Sequence, residues 1–183
     1  MKLVVLLALA ACHPSPMTYT SGVPNLDVVD PGVYRSGQIT TQEGWDYVRA
    51  LAAERSVLVV KLNFPNEGSD DLAEQMGFLV SYQPIEPEGD QDVLDDVENV
   101  FRAPDQGAVD HAVTALRMCH DNPRVVMCLV HCTHGQDRTG YVVGQYRVKV
   151  DGWTKDSAYA EMRSHNFHWE LRGIREAWEA WQP

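Results

Sequence analysis

Residues 124–140 read Arg124-Val-Val-Met-Cys-Leu-Val-His-Cys-Thr-His-Gly-Gln-Asp-Arg-Thr-Gly140. The first half, Arg124 to His131, is a nearly continuous apolar run. A run without polar alternation marks a central strand covered on both faces. A helical pattern follows near 139–150, so Cys132 and Arg138, with five residues between them, fall in a strand-to-helix loop. In that setting the five intervening N–H groups can curl around an oxyanion. The helix N-terminus adds roughly half a positive charge at the same spot. Arg138 can close the cradle with a planar, bidentate fork. Gly135 supplies a position where positive φ meets no side-chain clash. The same field favours the thiolate form of Cys132, which then attacks without a neighbouring base.

Working outward, Ser56 to Leu62 is β-branched and apolar and is bounded by Asn63 and Pro65, which predicts a second buried strand. Val33–Gly37 and Phe78–Ile85 read as two more. Thr40-x-x-Glu43 matches a capping box, and Trp45, Val48, Leu51 and Ala52 follow at helical spacing. A short helix is expected near Asp70–Met76. Val109, Ala112, Val113, Leu116 and Cys119 mark one face of a longer one. Further helices fall near 154–165 and 169–181, the last with an apolar stripe of Leu171, Ile174, Trp178 and Trp181. Glu86–Asp92 holds Pro, Gly and Asp and reads as a loop. Strands alternating with helices predict one α/β domain over residues 25–183, a central, mostly parallel sheet flanked by helices.

The 183 residues are 44% hydrophobic and 22% charged, a composition that excludes collagen-like, coiled-coil, disordered and disulfide-dense chains. A net charge of −11 argues against nucleic-acid binding, which needs basic surface. An anionic substrate must then be held by a local positive site. Four cysteines make no disulfide framework. Cys128 and Cys132 would stand about 13 Å apart along an intact strand, beyond disulfide reach. Cys119 and Cys128 read as small buried hydrophobes. His131, Cys132 and His134 could be metal ligands, but neighbouring strand residues point to opposite faces and zinc wants four ligands. No metal or cofactor is expected. Arg35, Lys61 and Arg147 read as surface basics, with Arg35 the one of most interest at the loop's rim. Asp70-Asp71 and Asp95-Asp96 read as solvated faces.

At the start, Met1-Lys2 precedes the apolar run Leu3–Ala11 and then Cys12. This order fits a secretory signal over residues 1–11, too short for the roughly 20 residues of a membrane span. Leu9-Ala10-Ala11-Cys12 resembles the bacterial lipobox, which would make Cys12 the lipidated first residue of the mature chain. Residues 12–24, rich in Pro, Ser, Thr and Gly, then form a tether. The expectation is an exported bacterial lipoprotein on the periplasmic face of a membrane, with outer membrane or cell surface left open. It would touch lipid only through its anchor.

The pattern H-C-x5-R-T at residues 131–139 resembles the cysteine-dependent phosphatases of the protein-tyrosine and dual-specificity superfamily. Pro31-Gly-Val-Tyr-Arg-Ser-Gly-Gln38 is similar to the opening strand of atypical dual-specificity members. Val143-Gly-Gln-Tyr-Arg-Val148 and Gly152-Trp153 are similar to the helix and turn after the loop in bacterial members. The resemblance implies that Cys132 attacks phosphorus to form a phosphocysteine and that Arg138 clamps two equatorial oxygens. It implies that Thr139 stabilises the departing thiolate and that His131 orients the loop. Thr133, His134, Gly135, Gln136, Asp137 and Arg138 would surround the bound phosphoryl group. The general acid would be an aspartate on the loop after the preceding strand. Asp90, five residues beyond Ile85, is the first candidate and Asp92 the second. Lipid-directed and myotubularin-like members carry an aspartate just before the loop arginine, which makes Asp137 a rival. Residues 93–104 look like an insertion.

The expected partner is a phosphorylated protein or a small phosphorylated substrate, met by a monomer. Phosphotyrosine or dual-specificity preference comes first, because Thr133 and Gln136 are neutral where inositol-lipid phosphatases often place lysines. An inositol phosphate or phosphoinositide is the alternative. A non-catalytic phosphate-binding pseudophosphatase fits less well, since a binding module has no need of the nucleophile.

Overall fold

The apolar run becomes strand β5 (Val126–His131) by our numbering, with its last five residues buried. It lies at the centre of a five-stranded sheet in the computed structural model, which describes residues 22–85 and 104–183. The other strands are β1 (Asp27–Asp30), β2 (Val33–Ser36), β3 (Ser56–Lys61) and β4 (Leu79–Tyr82), in the order β1-β2-β5-β3-β4. β1 pairs antiparallel with β2, and every other pairing is parallel. Ser36 and Lys61 both stand opposite His131, so β2, β5 and β3 end level. In parallel sheets, ligands bind in the crevice beyond such carboxyl ends.

Helices cover both faces. Met127 and Leu129 of β5 join Trp45 and Val48 of α1 (Gln42–Ala52) and Phe78, beside α2 (Asp71–Gln75), in one core. Cys128 and Val130 face the other way. There they meet α3 (Gln106–Asp121), α4 (Asp137–Lys149), α5 (Lys155–Ser164) and α6 (Arg172–Ala180). This alternation is the period-2 side-chain geometry of a strand buried on both sides. The tryptophan stripe packs α6 inward: the Trp178 ring stacks on Tyr159 at 6.5 Å and meets Tyr141 edge-on at 6.0 Å. Among the described residues no helix is long and apolar enough to cross a membrane.

Several expectations are corrected. The cap of α1 is Thr41, not Thr40: its hydroxyl accepts from the Gly44 N–H at 3.2 Å, the donor three residues on. β1 has one buried side chain, Val29, too weak a pattern to read from sequence. The strand expected over Phe78–Ile85 ends at Tyr82, with Pro84 unable to donate to a ladder. α4 starts two residues earlier than expected and α6 three later.

Cys119 and Cys128 are not separate small hydrophobes but a disulfide, with Cα atoms 5.8 Å apart. The turn after α3 folds its last apolar residue back over the middle of β5. Among the described residues, Cys132 is the free cysteine. Arg35, Lys61 and Arg147 are buried rather than surface basics, and Asp70 is buried rather than solvated. Each has at least one partner within the fold. Arg147 is held by Glu161 at 2.7 Å and Asp151 at 2.9 Å, Lys61 by the Gly68 carbonyl and Asp70, and Arg35 by the Gly135 carbonyl. Cys12, the signal and most of the tether lie outside the described residues, as do Asp90, Asp92 and Asp95-Asp96.

Candidate active site at the carboxyl end of β5

Immediately past β5 the chain turns through Cys132, which is 3% exposed, and enters α4 at Asp137. The Gly135 N–H donates to Cys132 Sγ at 3.3 Å, so the loop curls back over its own first residue. That curl requires Gly135: its φ is +75°, and a Cβ there would strike the Ser36 carbonyl and stand 2.6 Å from the Gly37 nitrogen. The Gln136 carbonyl accepts from the Gly140 N–H at 2.8 Å, which starts α4 with its amino end at the loop. Sulfur, backbone donors and the positive end of a helix dipole therefore share one place.

Arg138 sits in the first turn of α4. Its Nη1 donates to Glu67 Oε2 at 2.8 Å and its Nη2 to Glu67 Oε1 at 2.6 Å, a bidentate pair. Nη2 also reaches Thr133 Oγ1 at 3.2 Å. Glu67 ends a 3-10 turn (Pro65–Glu67) just beyond β3 and accepts from the Phe64 N–H at 2.7 Å. Burial pushes its carboxyl upward, but Arg138, the Phe64 N–H and Thr133 outweigh this and hold it below the usual glutamate value. Sequence reading missed Glu67; an acid six residues past the end of β3, a strand beside β5, was the available signal.

His131 is wholly buried, its Nε2 2.9 Å from Asp70 Oδ2 and its Nδ1 3.4 Å from the Cys132 carbonyl. Asp70 also accepts from Gln38 Nε2 at 2.6 Å, while Gln38 Oε1 accepts from Asn63 at 2.9 Å. Burial pushes the Asp70 carboxyl up, yet His131, Gln38 and Lys61 keep it below the usual aspartate value. This polar cluster ties the ends of β2, β3 and β5 behind the loop.

The remaining expected residues fall as follows. Thr139 is buried, and its hydroxyl has no hydrogen-bond partner among the described residues. His134 is exposed, and Thr133 and Gln136 are half-buried. Asp137 is committed elsewhere: Oδ1 accepts from the His168 N–H at 2.8 Å, and the His168 ring lies 3.0 Å from Oδ2. That hydrogen bond and charge raise the His168 imidazole above its ordinary value. Three loop carbonyls are held from outside. Thr133 O accepts from the Gln38 N–H at 3.0 Å, His134 O from Asn25 Nδ2 at 2.7 Å and Gly135 O from Arg35 Nη2 at 2.8 Å. A grouping of Asp30, His120 and Asp151 lies where Asp30 pairs with Val33 at the amino end of β2, engaged with Tyr146 and Arg147.

Residues 23–177 match the model of the tyrosine phosphatase family. The chain belongs to this family. Within it, 55 residues of this chain are 38% identical to the dual specificity protein phosphatase TpbA of Pseudomonas aeruginosa, 30% of this chain and 25% of TpbA. The matched stretch is thus a quarter of that relative's length. The crystal structure of TpbA superposes with a TM-score of 0.60 at 20% identity, over 91% of this chain and 94% of that one. The catalytic core of the PP-IP phosphatase SIW14 from S. cerevisiae gives 0.59 at 18% identity, covering 86% and 85%. PTPMT1 in complex with PI(5)P gives 0.56 at 16% identity, covering 84% and 94%. These structural likenesses define the fold.

Proposed function

We propose that this phosphatase hydrolyses phosphomonoesters through a phosphocysteine on Cys132, with phosphotyrosine-bearing or dual-specificity protein substrates preferred. The observation that carries the reading is the Gly135 N–H directed at Cys132 Sγ, with Arg138 one turn away at the start of α4. The sulfur's electron pair attacks phosphorus, the S–P bond forms and the P–O bond to the leaving group breaks. The loop N–H groups and Arg138 meet the charge that spreads over the equatorial oxygens. A carboxylic acid gives its proton to the leaving oxygen; we assign this to Asp90, with Asp92 next. Asp137 is the weaker candidate because both of its oxygens engage His168. Water then cleaves the S–P bond, releasing phosphate and the thiolate, which the Thr139 hydroxyl, without a partner among the described residues, is suited to receive.

Substrate preference is supported by the local identity to TpbA, a dual specificity protein phosphatase that has also been crystallised with phosphotyrosine. SIW14 and PTPMT1 supply the second reading, an inositol pyrophosphate or a phosphoinositide. Against it, Thr133 and Gln136 are neutral, and Glu67 adds negative charge beside Arg138. Hydrolysis of p-nitrophenyl phosphate, lost in Cys132→Ser, tests the chemistry. Phosphopeptides and inositol phosphates compared under the same conditions test the preference. No turnover by wild type at any pH from about 4 to 8 would overturn the catalytic reading.

We also infer export and lipidation at Cys12. A disulfide in the core, Cys119–Cys128, supports an oxidising compartment. Palmitate labelling that persists in Cys12→Ser would reject the anchor.

A further inference from the structure

Peptide groups are planar and trans, so a carbonyl and the following N–H point in opposite directions. A donor that grips a loop carbonyl from outside therefore turns the next N–H inward. The Gln38 N–H, Asn25 Nδ2 and Arg35 Nη2 grip the carbonyls of Thr133, His134 and Gly135. The N–H groups that follow belong to His134, Gly135 and Gln136. For Gly135 the consequence is visible: its N–H faces Cys132 Sγ.

We propose that Asn25 and Arg35 are positioning residues of the phosphate loop, orienting the N–H groups of Gly135 and Gln136 toward a bound oxyanion by holding two carbonyls on its outer side. This rests on the reading of residues 132–138 as an oxyanion site.

Two further observations separate this role from ordinary packing. Arg35 is 1% exposed, yet its Nε and Nη1 have no hydrogen-bond partner among the described residues. A buried cation with unpaired nitrogens works against stability, and an apolar side chain of similar volume would serve packing as well. Its bond to the loop gives it a different task. The acidic groups near it are Glu161 and Asp27, the Cys132 sulfur is also close, and Arg147 is the cationic neighbour. Burial together with Arg35 itself holds the His165 imidazole below its ordinary value. Asn25, for its part, holds a backbone φ of +49°. Asparagine tolerates that region better than most residues and carries a side-chain donor as well.

The experiment uses the full chain and inorganic tungstate, a phosphate-shaped oxyanion. Calorimetric affinity, p-nitrophenyl phosphate kinetics and melting temperature are measured for Arg35→Met, Arg35→Lys, Asn25→Asp and Asn25→Gly. Hydrogen bonds to an anion lost by misorientation are expected to weaken tungstate binding about tenfold or more in Arg35→Met and Asn25→Asp. Arg35→Met is expected to melt no lower than wild type, and Arg35→Lys to recover part of the affinity. Asn25→Gly keeps the backbone conformation and is expected to weaken binding through the lost donor alone. Should Arg35→Met fail to fold, the exposed Asn25 variants and Arg35→Lys carry the test. Tungstate affinity equal to wild type in Asn25→Asp and Asn25→Gly, or a loss that only tracks melting temperature, overturns the proposal. Wild type that binds tungstate with these dependences but hydrolyses no phosphomonoester supports the positioning role and rejects the phosphatase reading. Wild type that turns over while the variants bind normally does the reverse.

Discussion

Glu67 shows how one side chain can set the behaviour of another. It engages Nη1 and Nη2, the outer end of the Arg138 fork, and so fixes the direction of the guanidinium. Replacing Glu67 by Gln removes the charge assistance and leaves the fork freer to swing. A fall of about tenfold in kcat/KM for p-nitrophenyl phosphate is expected, with little change in melting temperature because the pair is partly exposed. Gly135→Ala acts more severely. The new Cβ collides with backbone of Ser36 and Gly37, and the positive φ strains it further. Displacement of the loop by a fraction of an ångström is expected to lower kcat/KM by about a hundredfold, read in steady-state assays.

Where elements meet, two cross-links tie the site to its surroundings. The Cys119–Cys128 disulfide fastens α3 to β5, the strand that carries Cys132. Closing so short a loop is worth about 2–3 kcal/mol in the chain-entropy account. Urea denaturation of Cys119→Ser with Cys128→Ser, compared with wild type, is expected to show a loss of that size. The Asp70–His131 contact joins the end of β5 to the segment after β3. A carboxyl held below its ordinary value stabilises the fold above its unfolded value near 3.9 and loses that contribution as pH falls through the native value. Asp70→Asn is therefore expected to be about 2 kcal/mol less stable near neutral pH. Its melting temperature should converge with that of wild type as the pH drops below about 4.

For the molecule as a whole, the net charge of −11 opposes anionic ligands, and the loop answers locally with N–H groups, a helix terminus and Arg138. Screening weakens long-range repulsion more than contacts inside a pocket. Raising salt from about 10 to 200 mM is expected to increase kcat/KM for an acidic phosphopeptide relative to a basic one. A parallel fall for both peptides would show that the local site, not the body charge, governs encounter.

The sequence by itself determined the strand, the loop and the helix that carry Cys132, Gly135 and Arg138, because their geometry is local: apolar runs, a five-residue gap and one helix start. It also showed the strand and helix alternation, since each element writes its own period into the chain. It did not show that Glu67 faces Arg138 across 71 positions, that Asn25 and Arg35 reach loop carbonyls across 109 and 100, or that Cys119 meets Cys128. Nor did it show that Arg35, Lys61, Asp70 and Arg147 are buried. Only the tertiary structure decided these, because they depend on the strand order β1-β2-β5-β3-β4 and on three strands ending level. Periodicity records which face of an element is buried, whereas partners across a sheet are chosen when the elements pack.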